Sequence, residues 1–396
     1  MTADSKNILV YYLSNFFVNV SRTLPHSILT VLLLSKGVNL SQILIIQSAY
    51  SLALVLFEFP SGVLADTWSK KKLYIVSKLF LLVMFLFVLL SNSFVFLYLA
   101  WFCYGLAAAL DSGTLDTFII NRLKITGKEK RLSTFLSRSK KVELVAMILG
   151  SFVGGILYFV IADKIYILSI ICIIISMTIT YFLFDTEESR QIKFKFSSKQ
   201  LATHILQSLK ELKDNRLLRY IILFNLFSQL FFQGHFQLWQ AFFLEKGISA
   251  KYFSIFYLLF QLISIASYSM NIENLFKKRI YRYLIPLILA LPITFYCSNF
   301  FLVVLAYFIY IFLFYVIEFV LDYKFHKIVS LENISSLVSL QSTIKRIGSI
   351  IIINLISMLV RFVDVQTVLI ILFSSSVLLT LFLIFLVSRR FKSDIN

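Results

Sequence analysis

The chain has 396 residues, 59% of them hydrophobic and only 15% charged, with 42 Phe. A soluble protein of that length cannot bury so much apolar surface, which excludes a soluble domain of any size. The net charge of +18 would suit nucleic acid, but the placement of the cations along the chain assigns them to a membrane surface.

Apolar runs of about 20 residues, enough to cross a bilayer as a helix, follow one another with short breaks. Twelve spans are predicted at 8–34, 41–65, 73–91, 94–121, 142–162, 165–184, 217–244, 250–272, 282–298, 300–325, 335–360 and 365–388. The alternation of a membrane β-barrel is missing. The first run has full length and no small-residue cleavage site after it, so it reads as a retained span rather than a signal peptide. Of the 38 Lys and Arg, only Lys36, Lys164, Lys246, Lys251 and Arg361 fall on one face, and Arg22 falls inside span 1. The rest are assigned to the other face, a positive-inside bias that orients both termini toward the cytoplasm. Anionic lipid headgroups account for the basic character, and no nucleic acid is expected. Cys103, Cys172 and Cys297 lie inside spans and read as small buried hydrophobes, not as a disulfide or metal set.

The fold class is therefore an all-α membrane protein of twelve helices. Residues 1–184 form one six-helix half and 217–396 the other. The polar stretch 185–216 joins them, with Leu201, Ile205, Leu209 and Leu212 at helical spacing, as in an amphipathic helix lying on the cytoplasmic surface. A plain linker is the reading for this segment.

The halves repeat. Residues 62–72 read Gly-Val-Leu-Ala-Asp-Thr-Trp-Ser-Lys-Lys-Lys between spans 2 and 3. A muted copy returns 207 positions later, where Glu273 answers Asp66 and the run Lys277-Lys278-Arg279 answers Lys70-Lys71-Lys72. The same offset maps Asp111 in span 4 onto Glu318 in span 10, and an offset of 205 maps Lys140-Lys141 onto Lys345-Arg346. Spans 1 and 7 each carry a polar stripe on one helix face: Asn15, Asn19, Arg22 and His26 in the first, and Asn225, Gln229, Gln233, Gln237 and Gln240 in the second. Two equivalent halves around a midplane site is the architecture of a secondary transporter.

The hairpin at 62–72 resembles the loop 2–3 signature of the major facilitator superfamily, roughly G-x-L-A-D-x-x-G-R-K. Here Ser69 stands for the usual second Gly, Lys70 for the usual Arg, and Trp68 is bulkier than most occupants of its position. With twelve spans and a half-chain repeat, the resemblance extends over essentially the whole chain. Residues 105–121 are similar to span 4 of bacterial members often described as drug or metabolite exporters. Two marks of proton-linked antiporters are absent. The Arg four residues before a Gly in span 4 is Trp101 here, and Gly150, Gly154 and Gly155 in span 5 have no Pro following. Those glycines then read mainly as helix-packing sites.

Intramembrane charge is costly, so each instance is a functional candidate. Arg22, mid-span, costs about 3 kcal/mol even on a lenient insertion scale and needs a partner, either Glu58 in span 2 or Asp111 in span 4. The superfamily resemblance implies that spans 1, 4, 7 and 10 line the cavity, which favours Asp111. The pair would act as a switch opened by protonation or by an anionic substrate, or else as a static buried pair. Glu58 is a second candidate proton site, or a brace for the hairpin. Glu318 is the cavity candidate of the second half, and Asp322, one turn on, is expected to pair with Lys324 or Arg346. Asn15, Asn19, His26, Asn225, Gln229, Gln233 and Gln237 are candidate cavity-lining residues. His235 lies off the stripe and reads as packed. Tyr11, Tyr12, Tyr104, Tyr307, Tyr310 and Tyr315 are either an aromatic pocket or lipid-facing filler. The resemblance implies that the hairpin residues Gly62, Asp66 and Lys70, with Asp116 as a candidate acceptor for Lys70 and Glu273 in the second half, gate the transporter rather than bind substrate.

No Walker-type loop, His-Glu-x-x-His or Gly-x-Ser-x-Gly is found, so no enzyme, cofactor or metal is expected, and transport must run on a gradient. The sequence reads as a monomeric secondary transporter in a bacterial cytoplasmic membrane, exporting an amphipathic small molecule by alternating access against proton entry. The alternatives are import or exchange of a metabolite, amino acid or peptide and, more remotely, a membrane sensor that does not transport.

Overall fold

The computed structural model describes residues 3–185, 211–270, 281–328 and 334–390. The predicted surface helix through Leu201, Ile205 and Leu209 lies outside the described residues, as do Glu273 and residues 277–280. Every regular element among the described residues is helical. Among the described residues ten stretches are long and apolar enough to cross a membrane, and the one at Leu132–Leu183 contains two helices. A further apolar helix, Pro286–Tyr296, is shorter.

The chain folds as two compact units, residues 1–194 with 247–258, and residues 195–246 with 259–396. The first contains α1 (Ala3–Thr23), α2 (Leu29–Ser35), α3 (Leu40–Thr67), α4 (Lys70–Leu90), α5 (Phe94–Asp111), α6 (Leu115–Ile125), α7 (Leu132–Ile161) and α8 (Ile165–Leu183). There α5 packs on α3 and α4, and α1 on α7 and α8. The second contains α9 (Arg216–Glu245), the later part of α10 (Phe253–Tyr268), α11 (Tyr281–Tyr296), α12 (Phe300–Ile328), α13 (Ile334–Leu359) and α14 (Val365–Arg390). There α9 packs on α13 and α14, and α11 on α12.

Two predicted spans are broken. Span 1 stops at Thr23, and after Pro25 it restarts through a 3-10 turn at His26–Ile28 and then α2, because proline has no N–H to continue the ladder. Span 4 stops at Asp111 and restarts at Leu115. Gly113 sits there at φ +74°, a left-handed conformation that glycine adopts without steric cost. Helix α7 starts at Leu132, ten residues before the predicted span, because the polar turn around Lys140 and Lys141 continues the helix beyond its apolar part.

The links at one end of the first unit are stapled by Lys36. Its side chain, only 3% exposed, donates to Asn92 Oδ1 at 3.1 Å and pairs with Asp163 at 3.2 Å. In the second unit Glu245 accepts from the backbone N–H groups of Val365 and Gln366, at 3.1 and 3.2 Å. Asp364 caps the same helix, and its hydrogen bonds from the Thr367 hydroxyl and N–H hold its carboxyl below the usual range. Lys246 Nζ reaches the Phe295 carbonyl at 2.8 Å.

Close backbone approach explains the glycines of α7. A Cβ on Gly154 would lie 1.9 Å from the carbonyl oxygen of Leu24, and one on Gly150 2.2 Å from Thr23 Oγ1. Gly105 of α5 is similarly pressed against the Tyr50 carbonyl of α3. Because the atom in the way of Gly154 is backbone, Gly154→Ala must push α7 off α1, an overpacking cost of about 3 kcal/mol. The melting temperature of the purified protein is expected to fall by several degrees. Gly62→Ala, inside α3 where a Cβ meets nothing within 4 Å, is expected to leave it unlowered or slightly raised.

Candidate functional site

Asp111 is the last residue of α5. A helix C-terminus carries partial negative charge, so a carboxylate there is disfavoured by the dipole as well as by the apolar setting. Two cations answer it. Lys78 Nζ of α4 lies 2.6 Å from Oδ1, and Arg22 Nη2 of α1 lies 3.5 Å from Oδ2. Of the two partners predicted for Arg22, the structure therefore brings Asp111 to it. Glu58 is half-buried on α3, where its backbone carbonyl accepts from Ser61. Arg22 stands in the last turn of α1, where the helix dipole favours a cation, and its guanidinium lies 5.8 Å from the centre of the Tyr104 ring.

Lys78 corrects the sequence reading, which grouped it with the cations of the cytoplasmic face. It lies two turns inside α4 and is 1% exposed. Its ammonium sits 4.2 Å above the Tyr74 ring, a stabilising contact when desolvated. That ring is fixed in turn by a knot of buried hydroxyls. Tyr74 Oη is 2.6 Å from Ser14 Oγ, and Ser14 is 2.6 Å from Ser176 Oγ and 2.8 Å from Thr180 Oγ1. The knot ties α1, α4 and α8 together. A signal was available in α4, because Tyr74, Ser77 and Lys78 fall on the face that buries Leu73, Leu81, Met84 and Phe85. In a helix whose other faces are apolar, the polar residues mark the side turned to protein.

The hairpin reaches the same place. Lys70 Nζ donates to the Gly113 carbonyl at 3.0 Å, inside the break that follows Asp111. This differs from the expected acceptor, Asp116, whose carboxylate lies 3.5 Å from the Thr117 hydroxyl. The Asp66 side chain lies outside the described residues. On α1, Asn19 Nδ2 donates to the carbonyl and side-chain oxygen of Asn15, both at 2.8 Å. His26 has left the helix and meets Tyr257 Oη at 3.4 Å.

In the second unit the predicted Gln stripe forms a ladder along α9. Gln237 Nε2 donates to Gln233 at 3.4 Å, and Gln233 Nε2 donates to Gln229 at 3.3 Å. Ser349 of α13, not foreseen, accepts from Gln233 at 3.1 Å and donates to Gln229 Oε1 at 2.8 Å. Asn225 Nδ2 and Gln237 Oε1 are buried without a hydrogen-bond partner. Glu318, 14% exposed, pairs with Lys345 Nζ at 3.3 Å, and Asp322 accepts from Gln341 at 3.4 Å. His235 is packed as predicted, 1% exposed, stacked on Phe231 and 3.0 Å from Tyr307 Oη. Tyr307 and Tyr310 are fully buried in the aromatic core of this unit around Phe314 and Phe373, which removes them from any aromatic pocket. Tyr11 and Tyr12 pack on Phe135.

Residues 11–325 match the family model of the Major Facilitator Superfamily. The chain belongs to that superfamily. No curated protein matches the sequence. Among solved structures it is similar to the nucleoside transporter NupG, in a mutant form, with a TM-score of 0.77 and 17% identity over 96% of this chain and 99% of that one. A bacterial homologue of the human lysosomal transporter Spinster, inward-facing and unoccupied, gives a TM-score of 0.75 at 14% identity, over 100% and 98% of the two chains. An auto-inhibited peptide transporter of the POT family gives 0.69 at 11% identity, over 97% of each. At such identities the likeness is one of fold.

For this facilitator protein the ion-pair cluster of the first unit is the leading candidate site. Its ion pairs link α1, α4 and α5, and protonation of Asp111 or arrival of a competing anion would release Arg22. Removing one partner of a buried pair costs about 3–5 kcal/mol. Lys78→Met is therefore expected to destabilise the protein strongly, since Asp111 keeps only the longer contact to Arg22. The double variant Lys78→Met/Asp111→Asn is expected to recover most of that loss. Thermal melts of the two single variants and the double variant measure the coupling.

Proposed function

We propose that this transporter exports an amphipathic small molecule against proton entry. It would act by alternating access, as a monomer of twelve spans in a bacterial cytoplasmic membrane with both termini in the cytoplasm. The observation that carries the coupling is the contact of Arg22 and Lys78 with Asp111. A charge network in apolar surroundings keeps its geometry only while every charge is present, so gain of a proton by the carboxylate changes which arrangement is stable. Lys70 holds the carbonyl of Gly113, two residues beyond that carboxylate. A change at Asp111 thus has a direct route to the hairpin that the family uses as a gate. Export rather than import rests on the likeness of residues 105–121 to span 4 of bacterial exporters. In the second unit Glu318, held by Lys345, and the amide ladder from Asn225 to Gln237 are the corresponding substrate-facing candidates.

A second reading is import or exchange of a zwitterionic metabolite, amino acid or peptide. The presence of both signs of charge among the buried candidates, Arg22 with Asp111 and Glu318, favours it.

In proteoliposomes an imposed pH gradient is expected to drive the amphipath, with protons moving the opposite way. Flux indifferent to the gradient removes the proton coupling, and gradient-driven uptake of an amino acid or peptide selects the second reading. Arg22→Ala is expected to abolish transport while the protein still inserts and purifies as a monodisperse particle. Normal transport by that variant would sink the switch.

A further inference from the structure

One carboxylate faces two cations in the first unit, and the two contacts are unequal. Lys78 lies 2.6 Å from Asp111 and is 1% exposed, whereas Arg22 lies 3.5 Å away and is 20% exposed. The shorter, sealed contact makes Lys78 the resident partner. Its ammonium is also covered by the Tyr74 ring, and Tyr74 is locked by Ser14 and Ser176. The Tyr104 ring covers Arg22 more loosely, with the guanidinium 5.8 Å from its centre against 4.2 Å for Lys78 and Tyr74. The Arg22 guanidinium has five N–H donors in a planar fork. One nitrogen, Nη2, makes the long contact to Asp111, and Nε is buried with no hydrogen-bond partner. A buried donor left unmade is costly, and an arginine fork is filled best by two oxygens of one oxyanion.

Three features hold the guanidinium in place before any such oxyanion arrives. These are the C-terminal turn of α1, the Tyr104 ring and the loose contact to Asp111. Beyond Arg22 the chain leaves the helix at Pro25, and His26 meets Tyr257 Oη at 3.4 Å. Among Arg22, Lys78 and Asp111 the positive charges outnumber the negative by one, which favours an anionic ligand over a cationic one.

We propose that Arg22 is the recognition cation for a carboxylate or phosphate group on the transported molecule, and that Lys78 serves to keep Asp111 from occupying that cation. This rests on the transporter reading above and names its substrate class, an amphipathic anion. Asp111 is then a competitor of the ligand, held weakly against Arg22 in its absence. An unusual sign follows. Removing Asp111 together with Lys78 subtracts one charge of each sign, leaves Arg22 in place and takes away the competitor, so binding should strengthen rather than fail.

The test measures binding to the purified protein in lipid nanodiscs with no gradient, using three probes matched in their apolar part: 5-phenylvalerate, 4-phenylbutylamine and 4-phenylbutanol. Phenyl phosphate is added to separate the two oxyanions. The carboxylate or the phosphate is expected to bind at least about tenfold more tightly than the amine and the alcohol, the scale of one charge-assisted bidentate contact. Arg22→Ala should bring it to the level of the alcohol, and Arg22→Lys, which keeps the charge but not the fork, should fall between. Lys78→Met/Asp111→Asn should bind the anion more tightly than the unaltered protein does. Equal or better binding of the amine, an anion affinity untouched by Arg22→Ala, a weaker anion in the double variant, or no binding of either anion at millimolar concentration would each overturn the proposal. Gradient-driven flux of the same probes is read separately. An anion that binds but ignores the pH gradient leaves the recognition standing and removes the coupling. A gradient-driven amine does the reverse.

Discussion

A carboxylate at the C-terminal end of a helix in apolar surroundings must be met by positive charge, and much of the first unit follows from that requirement at Asp111. The dipole of α5 and the loss of water both oppose the charge. Lys78 and Arg22 answer from α4 and α1, so three helices are committed to one point. Each cation brings its own support. Lys78 needs the Tyr74 ring, which needs the hydroxyls of Ser14, Ser176 and Thr180. Arg22 needs the end of α1, and so the interruption at Pro25. The break after Asp111 gives Gly113 a carbonyl that no longer serves a helix, and Lys70 takes it.

The second unit solves a related problem with different parts. Its carboxylate, Glu318, stands inside α12 rather than at a helix end, and is paired with Lys345 of α13. Its polar stripe is an amide ladder closed by a serine rather than an arginine. The repeat visible in the sequence thus preserves the position of the acid, Asp111 against Glu318, and not the helix that supplies its counter-charge. A substitution that is harmless in one unit has no reason to be harmless at the matching place in the other.

How much of this is legible in the sequence depends on contrast. Arg22 stands alone in an apolar run and is found at once. Lys78 carries the same charge as deeply, but it follows Lys70–Lys72 so closely that it merges with a surface cluster, and only its phase with Tyr74 and Ser77 separates it. Pro25 ends α1, yet Pro60 lies inside the unbroken α3, so a proline in an apolar run does not by itself mark a break. The letters Asp-Ser-Gly-Thr at 111–114 are those of a turn, yet they lie within an apolar length that fits one unbroken span, and length dominates the reading. Ser349 has no such signal. A serine in an apolar helix satisfies itself on the preceding turn, as Ser349 also does on the Lys345 carbonyl at 2.9 Å, and its contact across to Gln229 is a matter of packing that a linear pattern does not carry.

Lys70, Lys71 and Lys246 share a feature: each ends on a backbone carbonyl, at Gly113, Phe184 and Phe295. Any residue type offers that oxygen. Each tether therefore depends on the lysine and on the local chain path rather than on a partner side chain. Correlated substitution, by which paired positions reveal themselves in an alignment, has nothing to register at these three tethers. The contact that ties the hairpin to the break beside Asp111 is thus one that covariation would not reveal.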